Sequence, residues 1–537
     1  MTYSRTYWVG IIMLVATVIA LFRVTELQLF RGKELRAKAD ENRFFTRYLP
    51  APRGVFRDRN GRVLVYNAPL YKKASFGTES SPYPTLEEIT EEEAIQLLAH
   101  DEKNVFIDQK RTYSYGQALS HVLGYVGETT RDELRANPNY YIGESVGRLG
   151  LEKAYQEQLS GRFGKEVFEM HATGKLLRSI HREEPVAGTD IGLTIDASFS
   201  AVAYQTLNGR RGAVVASDPE TGEVLALVSS PGFDTTAMGD ALKDERLPIL
   251  FRAVNGTYPP GSTFKIITAA AGLQQNAITQ DTLIKDEGVL RVGTYSYGNW
   301  YYSQYGRVEG DVNVVKAIQR SNDIFFYKVA ELVGPESLAA MARRFHLGSK
   351  TGIDMPQESS GVIPDPEWKR RTQGEDWFLG NTYHMGIGQG DILITPLQIN
   401  QMTAAVARGG VWCKPFLREN STPRCEELNL TGDTLRLIHE GMKAVCATGG
   451  TAFPFFDKKP VEVACKTGTA EFGPADASGK RKTHGWMTLF APADKPTIAL
   501  TVLVEGTEEQ KFIEGSRDAG PIAKTLIEWW FAHTTGR

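Results

Sequence analysis

The chain has 537 residues and a formal net charge of −3, with 42% hydrophobic and 23% charged residues. This composition is ordinary for globular protein and excludes wholesale disorder, and a charge near zero gives no electrostatic reason to expect a nucleic-acid partner. The length suggests roughly three or four domains.

The first predicted element is an apolar helix. Residues 7–22 carry no charge, and Arg5 and Arg23 flank them. As a helix this run is roughly 24 Å long, a little short of the ~30 Å hydrocarbon core of a bilayer. A cleaved signal peptide with its cleavage site at residues 18–20 is the alternative, but that cut would fall inside the apolar run. We predict a retained single membrane anchor, with residues 1–6 as a short cytoplasmic tail.

The next part of the chain, residues 23–187, is predicted to be a charged stalk followed by a mixed, non-catalytic pedestal domain of the dimerisation type. Asn60-Gly61 between two apolar runs is the strongest short hairpin signal. Residues 84–102 are acidic and predict a helix. Residues 151–159 predict a second helix, because Leu151, Tyr155 and Leu159 share one face.

Residues 188–537 are predicted to form one catalytic domain of the α+β class. Early and late strands surround a mainly helical stretch at 262–450, which indicates an antiparallel sheet flanked by helices with an all-helical lobe beside it. A functional site is expected in the cleft between the sheet and the lobe. The predicted strands are 213–216, 223–228, 461–465, 486–490 and 497–503, and a closing helix covers 519–532.

The four cysteines all lie after residue 410. Cys413 and Cys425 could pair across a short loop in an oxidising compartment, or all four cysteines could remain unpaired. The sequence leaves both alternatives open.

The segment from Pro259 to Lys265, Pro-Pro-Gly-Ser-Thr-Phe-Lys, is the first that indicates chemistry. A helix is predicted to begin at about Ser262, which places this serine where free backbone N–H groups favour developing negative charge. Lys265 lies three residues further on the same face. A buried lysine can take the proton of a serine hydroxyl, which is otherwise a poor nucleophile. The motif alone is weak, since a helix-capping serine with an exposed lysine has the same sequence.

Two further motifs strengthen this interpretation. Ser321-Asn322-Asp323 stands between two helix-like stretches and would by itself cap a helix. Lys466-Thr467-Gly468-Thr469 follows the strand predicted to end at Cys465. A strand with small residues on one face can lie against the backbone of a substrate, and Thr469 N–H can point into the cleft.

Lys-Thr-Gly also occurs at residues 350–352, between a predicted helix and Ile-Asp-Met-Pro, which places this copy in a loop. Only the copy at 466 continues a strand and is followed by small residues. We interpret residues 466–469 as catalytic and residues 350–352 as a chance match.

Taken in order, Ser-x-x-Lys, Ser-x-Asp and Lys-Thr-Gly resemble the active-site motifs of penicillin-binding proteins and serine β-lactamases. The resemblance extends along nearly the whole chain and is to class B penicillin-binding proteins, the monofunctional D,D-transpeptidases, more to the elongation type than to the division type. Further matching segments are Arg53-Gly54, Asp58-Arg59-Asn60-Gly61, Gly124-Tyr125-Val126-Gly127, Gly150-Leu151-Glu152, Asp218-Pro219, residues 385–390, residues 395–398 and Phe490-Ala491-Pro492.

This resemblance implies a role for each residue. Ser262 would attack the carbonyl between two D-alanines of a peptidoglycan stem peptide, and Lys265 would take its proton. Ser321, helped by Lys466, would pass a proton to the departing D-alanine while Asp323 orients the network. The remaining assignments concern substrate contacts: an oxyanion hole from the N–H groups of Ser262 and Thr469, and carboxylate binding by Thr467 and Thr469, next to Gly468.

The resemblance also implies the setting of the enzyme. We expect a bacterial inner-membrane protein that crosses the membrane once and has its catalytic domain in the periplasm. Its expected partners are stem peptides, β-lactam antibiotics, a glycan polymerase of the SEDS family and other membrane proteins of the elongation complex. We expect no cofactor. We also expect no metal, because residues 266–320 contain no His or Cys for the metal cluster that some elongation-type relatives carry there.

Other functions fit the sequence less well. No histidine lies in the elbow motif of a Ser-His-Asp hydrolase, and Gly386-x-Gly388-x-Gly390 lacks the strand and the ending of a nucleotide loop. A D,D-carboxypeptidase or β-lactamase would use the same motifs with water as acceptor. A bifunctional polymerase would need a glycosyltransferase domain before the pedestal. A penicillin-sensing receptor would need more membrane spans or a cytoplasmic output domain than six residues allow.

Overall fold

The structure is a computed structural model that describes residues 3–75, 85–100, 102, 104–137, 140–141, 143–171, 176–457 and 461–534. Its first element is a helix, α1 (Tyr3–Thr25), which continues through a π-helical turn, Glu26–Phe30, to α2 (Gly32–Arg43). The stretch apolar enough to cross a membrane is Arg5–Phe30, 26 residues or roughly 39 Å of helix. It is longer than the predicted 7–22, because neither Gly nor Pro stops the helix at Arg23.

The pedestal consists of strands that pair into two sheets and a ribbon. The orders are β1-β8-β9, then β10-β2-β3-β4 with β5 also on β3, then β6-β7. The strands are β1 (Phe44–Leu49), β2 (Phe56–Arg57), β3 (Val63–Ser75), β4 (Thr85–Ile89), β5 (Val105–Tyr113), β6 (Val126–Glu128), β7 (Ser145–Gly147), β8 (Gly164–Met170), β9 (Leu176–Glu183) and β10 (Ile191–Gly192). The predicted hairpin is confirmed, since β2 and β3 are antiparallel around Asn60-Gly61.

Short helices connect these strands. They are α3 (Glu91–Ala99), α4 (Ser120–Leu123), α5 (Arg131–Ala136), α6 (Gly150–Ala154) and α7 (Gln156–Leu159), and a 3₁₀ turn, Gly116–Ala118, precedes α4. The predicted helix at 151–159 is therefore two helices that meet at Tyr155. Leu151 and Leu159 are nonetheless both fully buried, as their spacing indicated.

The prediction of one acidic helix at 84–102 is wrong in its first half. Only α3 is helical, whereas β4 is a strand antiparallel to β3. The register places Glu88 opposite Lys72 and Glu87 opposite Lys73. Opposite charges across a strand pair stabilise the sheet, so acidic residues that suit an exposed helix are also satisfied beside a basic strand.

The catalytic domain is built on a five-stranded antiparallel sheet of order β12-β11-β21-β20-β19. Its strands are β11 (Gly212–Ser217), β12 (Val224–Ser230), β19 (Ala464–Phe472), β20 (Lys482–Ala491) and β21 (Ile498–Val504). Every residue of β11, β12 and β21 is buried, which requires cover on both faces. Three helices provide it: α8 (Ala197–Leu207) and α19 (Gly520–Thr534), which contact each other, and α17 (Pro396–Ala407).

The helical lobe surrounds one buried helix, α10 (Lys265–Gln274), of which nine residues are buried. The other helices of this domain are α9 (Met238–Ala241), α11 (Trp300–Tyr305), α12 (Val314–Arg320), α13 (Asp323–Val333), α14 (Pro335–Arg344), α15 (Pro366–Gln373), α16 (Leu379–Gly386) and α18 (Gly432–Cys446). Short strand pairs accompany them: β13 (Ile284–Asp286) with β16 (Gly310–Val312), β14 (Val289–Val292) with β15 (Tyr295–Gly298), and β17 (Val411–Cys413) with β18 (Cys425–Glu427). The predicted α+β architecture, a flanked sheet beside a helical lobe, is confirmed.

All four cysteines form disulfides. Cys413 and Cys425 occupy opposed positions of β17 and β18 and are bonded, which decides between the two alternatives that the sequence left open. The second bond joins Cys446, the last residue of α18, to Cys465 on β19. This second pair was not predicted, and it ties the helical lobe to the sheet one residue before Lys466.

Candidate active site

Ser262 lies in a 3₁₀ turn, Gly261–Phe264, and the α-helix α10 begins only at Lys265. The sequence had placed the start of the helix at Ser262. In a 3₁₀ turn the side chains at i and i+3 are eclipsed, so Ser262 and Lys265 lie on the same side, one above the other. The turn is fixed from outside, since Trp486 Nε1 donates to Pro259 O at 3.0 Å and Gly261 N to Gly388 O at 2.9 Å.

Lys265 is fully buried and bound to the second motif. Its Nζ donates to Asp323 Oδ1 at 2.6 Å, to Ser321 O at 2.7 Å and to Ser321 Oγ at 3.3 Å. Burial lowers the pKa of the Lys265 ammonium, although the Asp323 carboxylate acts in the opposite direction. The amine is therefore closer to its neutral, proton-accepting form than an exposed lysine is.

Ser321 stands between the two lysines of the site. It links α12 to α13 with φ of 51°, a left-handed conformation that side-chain-bearing residues adopt mostly where the surroundings impose it. Lys466 Nζ donates to Ser321 Oγ at 2.9 Å, and Lys265 Nζ lies 3.3 Å from the same oxygen. Asn322 caps α13 by accepting from Phe325 N at 2.9 Å, as the sequence predicted for this pair.

Lys466 is also fully buried, on β19. The strand does not end at Cys465 as predicted but continues to Phe472, so the whole Lys-Thr-Gly-Thr motif is strand. Burial and the nearby charge of Lys265 lower the pKa of Lys466 well below its usual range, while Asp323 raises it. Lys265 and Lys466 are two buried amines near a single carboxylate, that of Asp323. Protonation of both amines is unfavourable, because each buried charge loses its hydration.

β19 is the edge strand of the sheet and lies directly against the 3₁₀ turn of Ser262. At Gly468 a side-chain Cβ would lie 3.0 Å from Thr263 Cγ2 and 3.1 Å from Pro260 O, so a side chain here would crowd the 3₁₀ turn. Thr467 Oγ1 bonds Thr451 Oγ1 at 2.7 Å, and Thr469 Oγ1 accepts from Gly515 N at 3.3 Å. The small residues thus allow the nucleophile and the strand to approach closely.

The motifs meet in one cleft of about 1180 Å³ between the sheet and the helical lobe. Of the predicted site residues, the lining includes Ser262, Ser321, Asp323, Thr467, Gly468 and Thr469, and the buried Lys265 and Lys466 are hydrogen-bonded to Ser321. The other Lys-Thr-Gly copy lies in the loop after α14, where Thr351 and Gly352 donate to the Glu358 carboxylate. The structure therefore brings all eight predicted residues together and places residues 350–352 elsewhere.

A buried amide network supports the second motif, and the sequence did not reveal it. Asp286 Oδ2 accepts from Asn299 Nδ2 at 2.7 Å and from Asn322 Nδ2 at 2.8 Å. Asn299 Oδ1 in turn accepts from Asp323 N at 3.2 Å, and Trp300 N donates to Asp323 Oδ2 at 2.8 Å. This Asp286 network fixes the Asn322 side chain and the backbone of Asp323. The only sequence signal for it is a pair of polar residues at the ends of β13 and β15.

Comparison with known proteins agrees with this geometry. Residues 212–528 match the penicillin binding protein transpeptidase domain, and residues 72–193 match the penicillin-binding protein dimerisation domain. Both the sheet-and-lobe fold and the three converging motifs are those of serine acyl-transferases, and the chain belongs to the penicillin-binding protein transpeptidase family.

Within this family the similarity is to the PBP2, or MrdA, type. Peptidoglycan D,D-transpeptidase MrdA of Acinetobacter baumannii is 32% identical, over 97% of this chain and 86% of the relative. PBP2 of Helicobacter pylori, solved in complex with MreC, superposes with a TM-score of 0.79 at 26% identity, covering 92% of this chain and 99% of that one. A chain of a peptidoglycan synthase complex superposes with a TM-score of 0.76 at 28% identity, covering 99% of both chains. The predicted resemblance to elongation-type class B proteins is confirmed.

Proposed function

We propose that this chain is a peptidoglycan D,D-transpeptidase of the elongation type, which cross-links stem peptides through an acyl-enzyme on Ser262. The observation that carries the assignment is the contact of two buried lysines, Lys265 and Lys466, with one hydroxyl, Ser321 Oγ, in a cleft that Ser262 lines. Buried amines beside hydroxyls are the arrangement that general-base activation of serine requires.

Acylation begins with proton removal from Ser262. Lys265, eclipsed with Ser262 in the 3₁₀ turn and with its pKa lowered by burial, accepts the proton as Oγ attacks the carbonyl between two D-alanines. The negative charge that develops on the carbonyl oxygen is stabilised by backbone N–H groups of Ser262 and Thr469. Gly468 allows the substrate backbone to lie flat against the strand.

Collapse of the tetrahedral intermediate breaks the bond to the terminal D-alanine. Its nitrogen needs a proton, and Ser321 Oγ supplies it while Lys466 and Lys265 restore the hydroxyl. Thr467 and Thr469 hold the terminal carboxylate beside Lys466. An amine of a second stem peptide then attacks the acyl-enzyme and forms the cross-link. A β-lactam also acylates Ser262, but its leaving group stays bonded to the acyl-enzyme and blocks the acceptor.

The test is covalent labelling of the purified full chain with a fluorescent penicillin. We expect stoichiometric labelling of the wild type and none of Ser262→Ala, with an unchanged melting temperature in the variant. Labelling that persists in Ser262→Ala would show that another residue is the nucleophile. A second assay supplies a purified stem-peptide donor and acceptor. A cross-linked product indicates a transpeptidase, whereas hydrolysed donor alone indicates a carboxypeptidase.

We also propose the cellular setting. Residues 1–6 form a cytoplasmic tail, residues 7–22 the centre of a single span of the bacterial inner membrane, residues 23–187 the stalk and pedestal, and residues 188–537 the periplasmic catalytic domain. The apolar helix Arg5–Phe30 and the two disulfide bonds support this arrangement. Cleavage of the catalytic domain by protease added to the periplasmic side of spheroplasts tests it; protection from that protease contradicts it.

The expected partners are a glycan polymerase of the SEDS family and an MreC-like protein of the elongation complex. The Helicobacter pylori relative was solved with MreC, and another similar chain belongs to a complex that coordinates polymerisation and cross-linking. Depletion of this protein is expected to make rod-shaped cells round; filamentation instead would indicate a division role. Co-purification of a tagged full chain in mild detergent tests the partners, and recovery of neither contradicts this part of the proposal.

A further inference from the structure

A buried carboxylate, Glu505, lies outside the cleft yet contacts the segment that leads to the nucleophile. It directly follows β21, and only 3% of its side chain is exposed. Its Oε1 accepts from Tyr258 Oη at 2.6 Å and from Arg252 Nε at 2.9 Å, while its Oε2 accepts from Arg211 Nε at 2.7 Å. Both carboxylate oxygens are therefore bound, by two guanidinium groups and one phenol.

The groups around Glu505 favour its ionised form. Burial raises the pKa of this carboxyl, but Arg252, the Tyr258 hydroxyl and Arg211 lower it more, so the net shift of the pKa is downward. Arg252 is fully buried, and its other two nitrogens donate to backbone carbonyls at 2.7 and 3.0 Å. A buried polar network in which every member is bonded is rigid. The Tyr258 hydroxyl is thus bonded to an acceptor that has a fixed position.

Tyr258 connects this carboxylate to the nucleophile, because it directly precedes Pro259 and lies four residues before Ser262. Its backbone pairs with that of Ile394 through two N–H···O bonds of 3.0 and 2.9 Å. Its ring packs edge-on against Trp486, with centroids 6.2 Å apart, and Trp486 Nε1 donates to Pro259 O. The tyrosine is therefore bonded to the buried carboxylate through its hydroxyl and packed on the indole that fixes the turn.

The chain also leaves space for the tyrosine ring. At Gly256 a side-chain Cβ would lie 2.7 Å from Tyr258 Cε2 and 2.8 Å from its Cζ. Carbon atoms in favourable contact are about 3.5–4.0 Å apart, so a larger residue here would displace the ring. The ring also packs edge-on against His484, with centroids 5.3 Å apart. Packed in this way, the ring has little freedom to rotate.

We propose that Glu505 is a positioning residue for acylation, which acts through Tyr258 to hold the 3₁₀ turn of Ser262 in its reactive place beside β19. This inference rests on the proposed function, because it assigns Glu505 a part in the reaction of Ser262. Pro259 and Ser262 line the cleft, whereas Glu505 and Tyr258 lie outside its lining. The effect is therefore on geometry, and a displacement of about 1 Å can lower a rate about 100-fold.

The test is acylation of the full chain in detergent by a chromogenic β-lactam, which gives a rate constant and a half-saturating concentration. Tyr258→Phe keeps the ring and the Glu505–Arg252 ion pair and removes only the hydroxyl. We expect a rate constant about tenfold lower, a half-saturating concentration within about twofold of wild type, and a nearly unchanged melting temperature. Glu505→Asp keeps the counter-charge of Arg252 but withdraws the carboxylate by one methylene, and should lower the rate constant to a similar extent.

The matched control is Arg211→Gln, which removes another partner of the same carboxylate but leaves the Tyr258 contact. It should lower the melting temperature and keep the rate constant within about twofold of wild type, because a purely structural loss does not move the turn. The double variant of Glu505→Asp and Tyr258→Phe should be no slower than either single variant, because both changes remove one contact.

Two outcomes overturn the positioning role of Glu505. One is a wild-type rate constant in Tyr258→Phe, and the other is an equal loss of rate in Arg211→Gln. A wild-type protein that no β-lactam acylates at Ser262 would instead overturn the proposed function, so the two failures are distinguishable.

Discussion

Lys265 Nζ lies 2.6 Å from Asp323 Oδ1, with the ammonium fully buried. A general base must be neutral when it acts, yet this carboxylate favours the protonated form. Burial lowers the pKa of Lys265 and Asp323 raises it, so the balance between desolvation and this one ion pair decides the pH at which the amine becomes available.

Replacement of Asp323 by asparagine should move the acidic limb of the acylation profile to lower pH. Asp323 raises the pKa of Lys265, so its removal lowers that pKa, and the neutral amine then forms at lower pH. The rate constant for acylation by a chromogenic β-lactam, followed from about pH 5 to pH 9, measures the shift. The pH of the acidic limb is the diagnostic quantity. The maximal rate constant is not, because the variant also loses a contact that orients Lys265. An unmoved limb, or one at higher pH, contradicts Lys265 as the base.

The two Lys-Thr-Gly copies make a direct comparison. Lys466→Ala removes the donor that contacts Ser321 Oγ at 2.9 Å, and should slow acylation about 100-fold or more, the lower range for loss of positioned proton transfer. Lys350→Ala removes the equivalent lysine of the loop copy and should change the rate less than about twofold. Stopped-flow labelling with a fluorescent penicillin checks both variants. The opposite pattern would show that the loop copy is the catalytic one.

The Asp286 network should act through position and not through contact with substrate. Asp286→Asn removes the charge that accepts from Asn299 and Asn322, hydrogen bonds whose loss costs about 1.5–3 kcal/mol in similar buried settings. We expect a lower melting temperature and about a tenfold lower acylation rate constant, with little change in the β-lactam concentration that half-saturates the rate. The control is Asp311→Asn, an exposed aspartate on the adjacent strand β16. A variant with normal stability and normal kinetics would rule out a positioning role.

Acid should destabilise the protein through His121. This pedestal side chain is buried against the catalytic domain, where its ring contacts Phe233 and Phe251 and its Nε2 bonds the carbonyl of Pro248 at 2.7 Å. Burial lowers the pKa of His121 from 6.5 to about 3. Between these two pH values the folded state therefore binds fewer protons than the unfolded state. The stabilising effect of His121 is complete above pH 6.5 and declines as the pH falls towards 3, by about 2 kcal/mol at pH 5.

The measurement for His121 is the free energy of unfolding, or the melting temperature, at several pH values. His121→Gln retains an N–H for the Pro248 carbonyl but no titratable group. Its stability should therefore fall less steeply between pH 7 and pH 5 than that of the wild type, even if it is lower at pH 7. Parallel curves for the two proteins would show that His121 does not titrate in this range.

Much of the local structure follows from neighbouring residues. The apolar runs of β11, β12 and β21 predicted strands, and Asn60-Gly61 predicted a hairpin, because each depends on contacts within a few residues. The prediction failed at β4, where Glu87 and Glu88 adopt a strand because Lys73 and Lys72 stand opposite. It also failed at the start of α10, where contacts from Trp486 and Gly388 stabilise a 3₁₀ turn.

The sequence by itself determined which residues are available for chemistry. These are a serine and a lysine one turn apart, a Ser-x-Asp between two helices, and a strand that has no side chain at Gly468. Only the tertiary structure decided that Ser321 stands between Lys265 and Lys466, that Cys446 pairs with Cys465, and that Asp286 supports the second motif. The physical reason is that these contacts join residues far apart in the chain, and their partners are selected by the packing of the sheet against the helical lobe. Local spacing can indicate an edge or a turn, but it carries no information on which distant side chain will be buried against it.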